Sequence, residues 1–276
     1  MKKLLKYFLS LFIFRNSKHL ADASEVKHYY ENWTERYIQG FQNIFQSKKA
    51  NTDNELVEYF CKQMQVENKM HLLDAGCGVC GPAILIAQQY DVKIDAVTIS
   101  ETQAKISQEK ILEANLQKKI TVHCEDFHDL TFLENKKYDI VYFMESLVHS
   151  NKPHVVIDEA YKKLKPDGII YIKDLFEKTA YSKEELKGIN YWVDYNNKKI
   201  CLNIIKKEEL LMILRNLGFQ LEFCKLMEIP TNQDMGNRFV VENEIMPDPI
   251  INSLPPYLEW YEIKAIKPGP NIVFKM

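Results

Sequence analysis

Asp74 stands just ahead of the first glycine in Gly76-Cys77-Gly78-Val79-Cys80-Gly81. An apolar run, Met70 to Leu73, leads into it, and a helical pattern from Pro82 to Tyr90 follows. Glycines at this spacing make a strand–turn–helix that brings backbone close to a bound nucleotide. Gly76 is expected to permit the tight turn, Gly78 to let the backbone approach a ligand, and Gly81 to let the helix pack near the strand. A carboxylate at position 74 would repel a pyrophosphate, but it suits a ligand carrying ammonium or sulfonium charge. A second pair with chemical capacity is Glu145 and His149, after the apolar run Tyr138–Met144. A buried carboxylate can stabilise developing positive charge, and an imidazole can act as a general base. The plainer alternative is a capping Glu145 and a structural His149. Cys77-x-x-Cys80 has metal-pair spacing, but no second pair accompanies it, so buried reduced thiols are expected and no metal.

The elements that must hold these residues alternate. Strands are predicted over Met70–Ala75, Lys93–Ile99, Ile120–Cys124, Tyr138–Met144 and Ile169–Leu175. Helices are predicted over Pro82–Tyr90, Glu101–Leu116 and Pro153–Leu164, and the turn Lys165-Pro166-Asp167-Gly168 launches the fifth strand. This alternation implies a doubly wound α/β fold with a mostly parallel sheet and ligands at the carboxyl ends of its strands. Another helix, Lys206–Leu217, and a strand, Phe219–Ile229, follow. Strand-like segments at Leu258–Ile266 and Asn271–Phe274 suggest an antiparallel C-terminal edge hairpin. Before the sheet, Tyr29, Tyr30, Trp33, Tyr37 and Phe41 recur at helical spacing, as a core face or as a lid over the site. Residues 1–65 therefore read as a helical lid region, and 66–276 as the main domain, with a cap insertion at about 177–205 that carries Tyr191, Trp192 and Tyr195.

The chain has 276 residues and a formal net charge of −2, which gives no electrostatic argument for nucleic-acid binding. Its N-terminus is basic and apolar, with Lys2, Lys3, Lys6, Arg15 and Lys18 around Tyr7–Phe14. The run is too short to span a bilayer and shows no small-x-small cleavage site. Residues 1–20 read equally as a membrane-surface helix and as a lid helix. The expected location is cytoplasmic, with or without membrane association; oligomeric state is left open.

The wording of these segments resembles class I S-adenosylmethionine-dependent methyltransferases over roughly residues 65–230. The resemblance rests on the turn 72–81, on Tyr138-Asp139-Ile140-Val141 and on Leu164-Lys165-Pro166-Asp167-Gly168. It implies a Rossmann-like, seven-stranded sheet with an N-terminal helical lid, and S-adenosyl-L-methionine as cofactor. Asp74 would then hold the methionyl ammonium, with the backbone of Gly76 and Gly78 facing the methionyl and ribose part. Val97-Thr98-Ile99-Ser100-x-x-Gln103 lacks the acidic residue that many members place after strand two. It resembles instead the cyclopropane-synthase and sterol-methyltransferase branch, with Thr98, Ser100 and Gln103 as neutral hydrogen-bonding groups. Ser100 is also a candidate helix N-cap. Asp126 would accept from the adenine amino group and Phe127 would pack on the ring.

Glu145-Ser146-Leu147-Val148-His149 resembles the sterol and tocopherol C-methyltransferases and, more loosely, those of isoprenoid diphosphates. Glu145 and His149 are the expected catalytic residues, acting on a small lipophilic acceptor. A diphosphate acceptor would call for Mg²⁺ and cationic partners. Arg36 and Arg238 are the only arginines near lid segments. The competing readings are an O- or N-methyltransferase of specialised metabolism and a noncatalytic cofactor-binding or membrane-associated protein.

Overall fold

A computed structural model describes residues 20–46, 50–228 and 257–269. Residues 1–19, Arg238 and the segment Asn271–Phe274 lie outside the described residues. Two helices precede the sheet: α1 (Ala23–Phe41) and α2 (Asp53–Met64). Each opens with a capping box, Asp22 with Glu25 and Thr52 with Glu55, which satisfies backbone donors at both starts.

The strands are β1 (His71–Ala75), β2 (Lys93–Thr98), β3 (Ile120–Cys124), β4 (Tyr138–Met144) and β5 (Leu164–Glu177). Between them run α3 (Gly81–Gln89), α4 (Glu101–Glu113) and α5 (Pro153–Lys163). After β5 come α6 (Lys183–Ile200), α7 (Lys207–Asn216), β6 (Gln220–Leu226) and β7 (Leu258–Ile266). The seven strands form one sheet in the order β3-β2-β1-β4-β5-β7-β6. The first five are parallel, and β7 is antiparallel to both β5 and β6. The Rossmann-like expectation is borne out.

The antiparallel edge is present as expected. Asn271–Phe274, the second segment of the expected hairpin, lies outside the described residues; β7 pairs with β5 on one side and β6 on the other. Burial fits this insertion: Ile263 and Ala265 on one face of β7 and Glu262 and Lys264 on the other are all buried, as an interior strand requires. The two sheet faces carry separate apolar clusters. Leu72, Ile94, Ile140 and Tyr142 pack with α2 and α3, whereas Leu73, Val97, Val141 and Ile170 pack with α5 and α7. Leu56, Val57, Phe60 and Met64 of α2 are fully buried in the first cluster, so this part of the expected lid region packs as core. The strand order reverses between β1 and β4, which places a crevice at their carboxyl ends.

Candidate active site

The crevice is a cleft whose empty volume, counting its open mouth, is about 850 Å³. That size suits a cofactor-sized ligand. Asp74, Gly76, Gly78, Thr98, Gln103, Asp126, Phe127, Glu145 and His149 all line it. Of the residues expected from the sequence, Ser100 alone stays out of its wall. Ser100 is fully buried as the N-cap of α4, its hydroxyl accepting from Gln103 N at 3.1 Å.

Local packing explains the glycines. Gly76 has φ +92°, and a Cβ there would lie 2.4 Å from Ser146 Cβ, so it makes room for the turn after β4. Gly78 is left-handed at φ +55°. Gly81 serves a different contact from the one expected. A Cβ there would meet the carbonyl oxygen of Asn43 at 1.9 Å, so the close approach is to the loop after α1, not to the strand. That loop delivers Phe45 and Gln46 to the cleft. The turn itself is held by Gly76 N and Cys77 N, both 2.9 Å from Val97 O, and by Ser146 Oγ donating to Ala75 O at 2.6 Å.

Asp74 is 2% exposed, and its Oδ2 has no hydrogen-bond partner among the described residues. Burial pushes its carboxyl up to about 7; the nearby Tyr142 phenol, itself without a hydrogen-bond partner among the described residues, offsets only part of the shift. An orphaned buried carboxylate oxygen is costly unless a ligand completes it. A cationic group fits this position, as the charge argument from sequence requires. Thr98 Oγ1 donates to Gln103 Oε1 at 2.7 Å, which leaves the NH2 of the amide as its donor end. Asp126 Oδ1 accepts from His128 N at 2.9 Å and pairs with His128 Nδ1 at 2.6 Å. His128 Nε2 lies 2.7 Å from Ser150 Oγ, so this chain ties the Asp126 side of the cleft to the turn after β4. Desolvation raises the Asp126 carboxyl, but the His128 bonds outweigh it and hold it below its ordinary value.

At the other end sits a 3-10 turn, Leu147–His149. His149 Nδ1 is 2.9 Å from Cys201 O, a carbonyl that can only accept, so Nδ1 carries the proton. Nε2 then accepts from Tyr30 Oη at 2.7 Å. Burial lowers His149 to about 4, partly countered by the Cys201 bond, so the ring is neutral at pH 7. Tyr30 is the member of the α1 aromatic stripe that reaches the cleft; Tyr29 and Phe41 are buried in packing. Tyr191, Trp192 and Tyr195 pack against one another, Trp192 edge-on to both tyrosines, and do not line the cleft. What the cap does supply is the Cys201 carbonyl and Asn203, whose Nδ2 donates to His149 O at 3.0 Å and Ala21 O at 2.8 Å. Arg36 lies over the Trp33 ring at 4.7 Å and does not line the cleft.

Glu145 follows β4 with φ +57°, the left-handed region. Its carboxylate forms an ion pair with Lys173 of β5, a fully buried lysine. Sequence reasoning missed Lys173 and the Tyr30 contact. The signal for the first was present: Lys173, with Asp174 beside it, interrupts the apolar run of Ile169–Leu175.

Comparison with known proteins agrees with this geometry. Residues 14–201 match the family model described as mycolic acid cyclopropane synthetase. A sterol 24-C-methyltransferase of Debaryomyces hansenii is 28% identical over 216 residues, covering 75% of this chain and 56% of that one. The chain thus spans little more than half the length of this relative. A sterol 4-C-methyltransferase of Caenorhabditis elegans is 27% identical over 126 residues, 46% of this chain and 37% of that one. Among solved structures, a geranyl diphosphate methyltransferase in complex with GPP and sinefungin superposes with TM-score 0.73 at 15% identity, covering 89% of this chain and 98% of that one. The cyclase SpnF superposes equally, TM-score 0.73 at 18% identity, covering 91% and 98%. At these identities the structural matches show the fold alone.

Proposed function

The chain belongs to the mycolic acid cyclopropane synthetase family, and from that premise we propose that it is an S-adenosylmethionine-dependent methyltransferase acting on carbon of a small lipophilic acceptor, isoprenoid or sterol-like. The observation that carries the reading is Asp74 Oδ2, buried and unpartnered among the described residues beneath a glycine turn. It stands in one cleft with Glu145, His149 and Tyr30. When bound, S-adenosylmethionine supplies an electrophilic methyl group. Asp74 holds the ammonium; Gly76 and Gly78 present backbone; Thr98 and Gln103 supply neutral hydrogen bonds; Asp126 and Phe127 hold the adenine.

Methylation of an alkene carbon leaves positive charge on the acceptor, and a proton must then depart. Glu145 faces that charge, and neutral His149 would take the proton by relay: Tyr30 gives its hydroxyl proton to Nε2 as its oxygen accepts the one that departs. Among the described residues no lysine or arginine lines the cleft, whereas Asp74, Glu125, Asp126 and Glu145 do. That balance favours an uncharged acceptor over a bare diphosphate. O- or N-methylation with the Tyr30–His149 pair as base is the second reading, favoured by the neutral ring and by the Tyr30 hydroxyl that donates to its Nε2. The cyclase shares this fold, so the fold by itself does not decide for methyl transfer.

The deciding experiment supplies labelled methyl donor with matched pairs of isoprenoid alcohols, their diphosphates, sterols and phenols, and identifies the labelled product. Label on carbon of an uncharged acceptor supports the proposal; label on oxygen or nitrogen moves it to the second reading. No described helix is long and apolar enough to cross a membrane. A cytoplasmic location with peripheral contact through residues 1–20 is proposed. Sedimentation with anionic vesicles at low salt, lost when residues 1–20 are removed, tests that contact.

A further inference from the structure

Lys173 does not line the cleft, yet it touches two residues that do. It lies on β5 in register with Met144 of β4 and is fully buried. Its Nζ pairs with the Glu145 carboxylate and lies 3.3 Å from Gln46 Oε1. The ammonium also sits 4.6 Å from the centre of the Trp260 ring on β7. The backbone holds Glu145 a second time, through Glu145 N donating to Lys173 O at 2.7 Å. Gln46 belongs to the loop that crosses Gly81, and its Nε2 donates to Met144 Sδ at 3.7 Å.

Burying a lysine is costly unless its charge is met by a well-placed partner. Here the partner is a side chain of the cleft wall, held in a left-handed backbone conformation that a glutamate seldom adopts. A fold that needed only stability could place an apolar residue at 173, as β5 does on the same face at Ile169 and Tyr171. We propose that Lys173 is a positioning residue for methyl transfer: through their ion pair it holds the Glu145 carboxylate aimed at the acceptor, and it seats Gln46 beside it. This inference rests on the methyltransferase reading above. Removing Lys173 should therefore act on the rate through Glu145 and leave binding of the donor unchanged, because neither Lys173 nor Glu145 is among the residues expected to hold the donor.

The experiment is a cycle of four proteins: wild type, Lys173→Met, Glu145→Gln and the double variant. Each is measured for kcat, for KM of the acceptor found with labelled donor, for binding of S-adenosylhomocysteine by calorimetry, and for stability by denaturant. Glu145→Gln is expected to lower kcat about 10²–10³-fold, the loss typical of one preorganised electrostatic contact. Lys173→Met should lower kcat at least tenfold with both binding measures within about threefold of wild type. The double variant should match Glu145→Gln within about threefold, since removing Lys173 has no further effect once the carboxylate is gone.

Additive losses in the double variant, or a Lys173→Met protein with wild-type kcat, would overturn the proposal. If Lys173→Met alone fails to fold, the double variant, which removes both buried charges, supplies the comparison with Glu145→Gln. If both Lys173 variants fail while Glu145→Gln folds, Lys173 is a folding residue and the proposal falls. A wild type that transfers no methyl group sinks the enzymatic reading on its own. The denaturation cycle is then still informative, because zero coupling between positions 145 and 173 removes the ion pair on which the inference stands.

Discussion

The phenol of Tyr30, on α1, donates to Nε2 of His149, on the turn after β4, at 2.7 Å, and so joins the helix over the cleft to a buried histidine of its wall. Tyr30→Phe removes that donor and leaves a buried ring nitrogen without it. Such a loss costs about 1–3 kcal/mol. The expected result is kcat lowered roughly 5- to 100-fold with a folded protein. Steady-state kinetics beside circular dichroism checks this; unchanged kcat would mean the contact is only packing.

His149 makes a second expectation definite in sign. Its pKa in the fold, about 4, lies below its ordinary value, so the unfolded chain binds the extra proton first as pH falls. This group's contribution to stability is complete above about pH 6.5, the free value, and is lost as pH falls toward 4. Between pH 7 and 8 no titration of His149 should appear in kcat. Denaturation of wild type and His149→Gln at pH 5 and pH 7.5 tests this. The difference between the two proteins should depend on pH in that window, with the variant relatively more stable at the lower pH.

Asp74 titrates in the opposite sense. Its carboxyl is raised to about 7, so in the absence of ligand its burial weakens the fold progressively as pH rises from about 4 to 7. A cationic ligand reverses this by favouring the ionised form. S-adenosylmethionine should therefore bind more tightly at pH 8 than at pH 6, with proton release at the lower pH. Asp74→Asn should weaken binding more than tenfold, the equivalent of the roughly 1.5–3 kcal/mol of a hydrogen bond to a charged group, and remove that part of the proton release. Calorimetry in two buffers of different ionisation enthalpy measures both quantities.

These residues also show what was legible in the sequence. Asp74 and the glycines were found because a turn of this kind has a fixed local pattern. Strands β1 to β4 were legible as short apolar runs between turn residues. The insertion of β7 beside β5 was not, because pairing across more than ninety residues leaves no local mark; Ile172, for instance, opposes Ile263. Helical spacing showed that Tyr29, Tyr30, Trp33 and Tyr37 share a face. Which of them meets His149 depends on how α1 docks. Likewise Glu145 read as a carboxylate alone, since its partner lies 28 residues away on a neighbouring strand.

The docking of α1 rests on one more carboxylate. Glu31 accepts from Glu101 N at 2.7 Å and Thr102 N at 3.3 Å and also pairs with the Thr102 hydroxyl, so a side chain of α1 occupies the amino end of α4. Desolvation raises this carboxyl, but those bonds prevail and hold it below its ordinary value, so it is ionised at pH 7. The Lys27–Glu101 pair beside it is exposed and contributes little. An anion at a helix start is favoured by the free N–H groups and the dipole, by about 0.3–1 kcal/mol. Glu31→Gln keeps the shape and loses the charge, and should loosen α1 without unfolding the sheet. The expected outcome is a several-fold faster release of S-adenosylhomocysteine in stopped-flow, with stability lowered by about 1 kcal/mol or less. Where product release limits turnover, kcat should rise, and where chemistry limits it, kcat should hold. An unchanged release rate would show that α1 is a fixed wall of the cleft and that Glu31 serves only to cap α4.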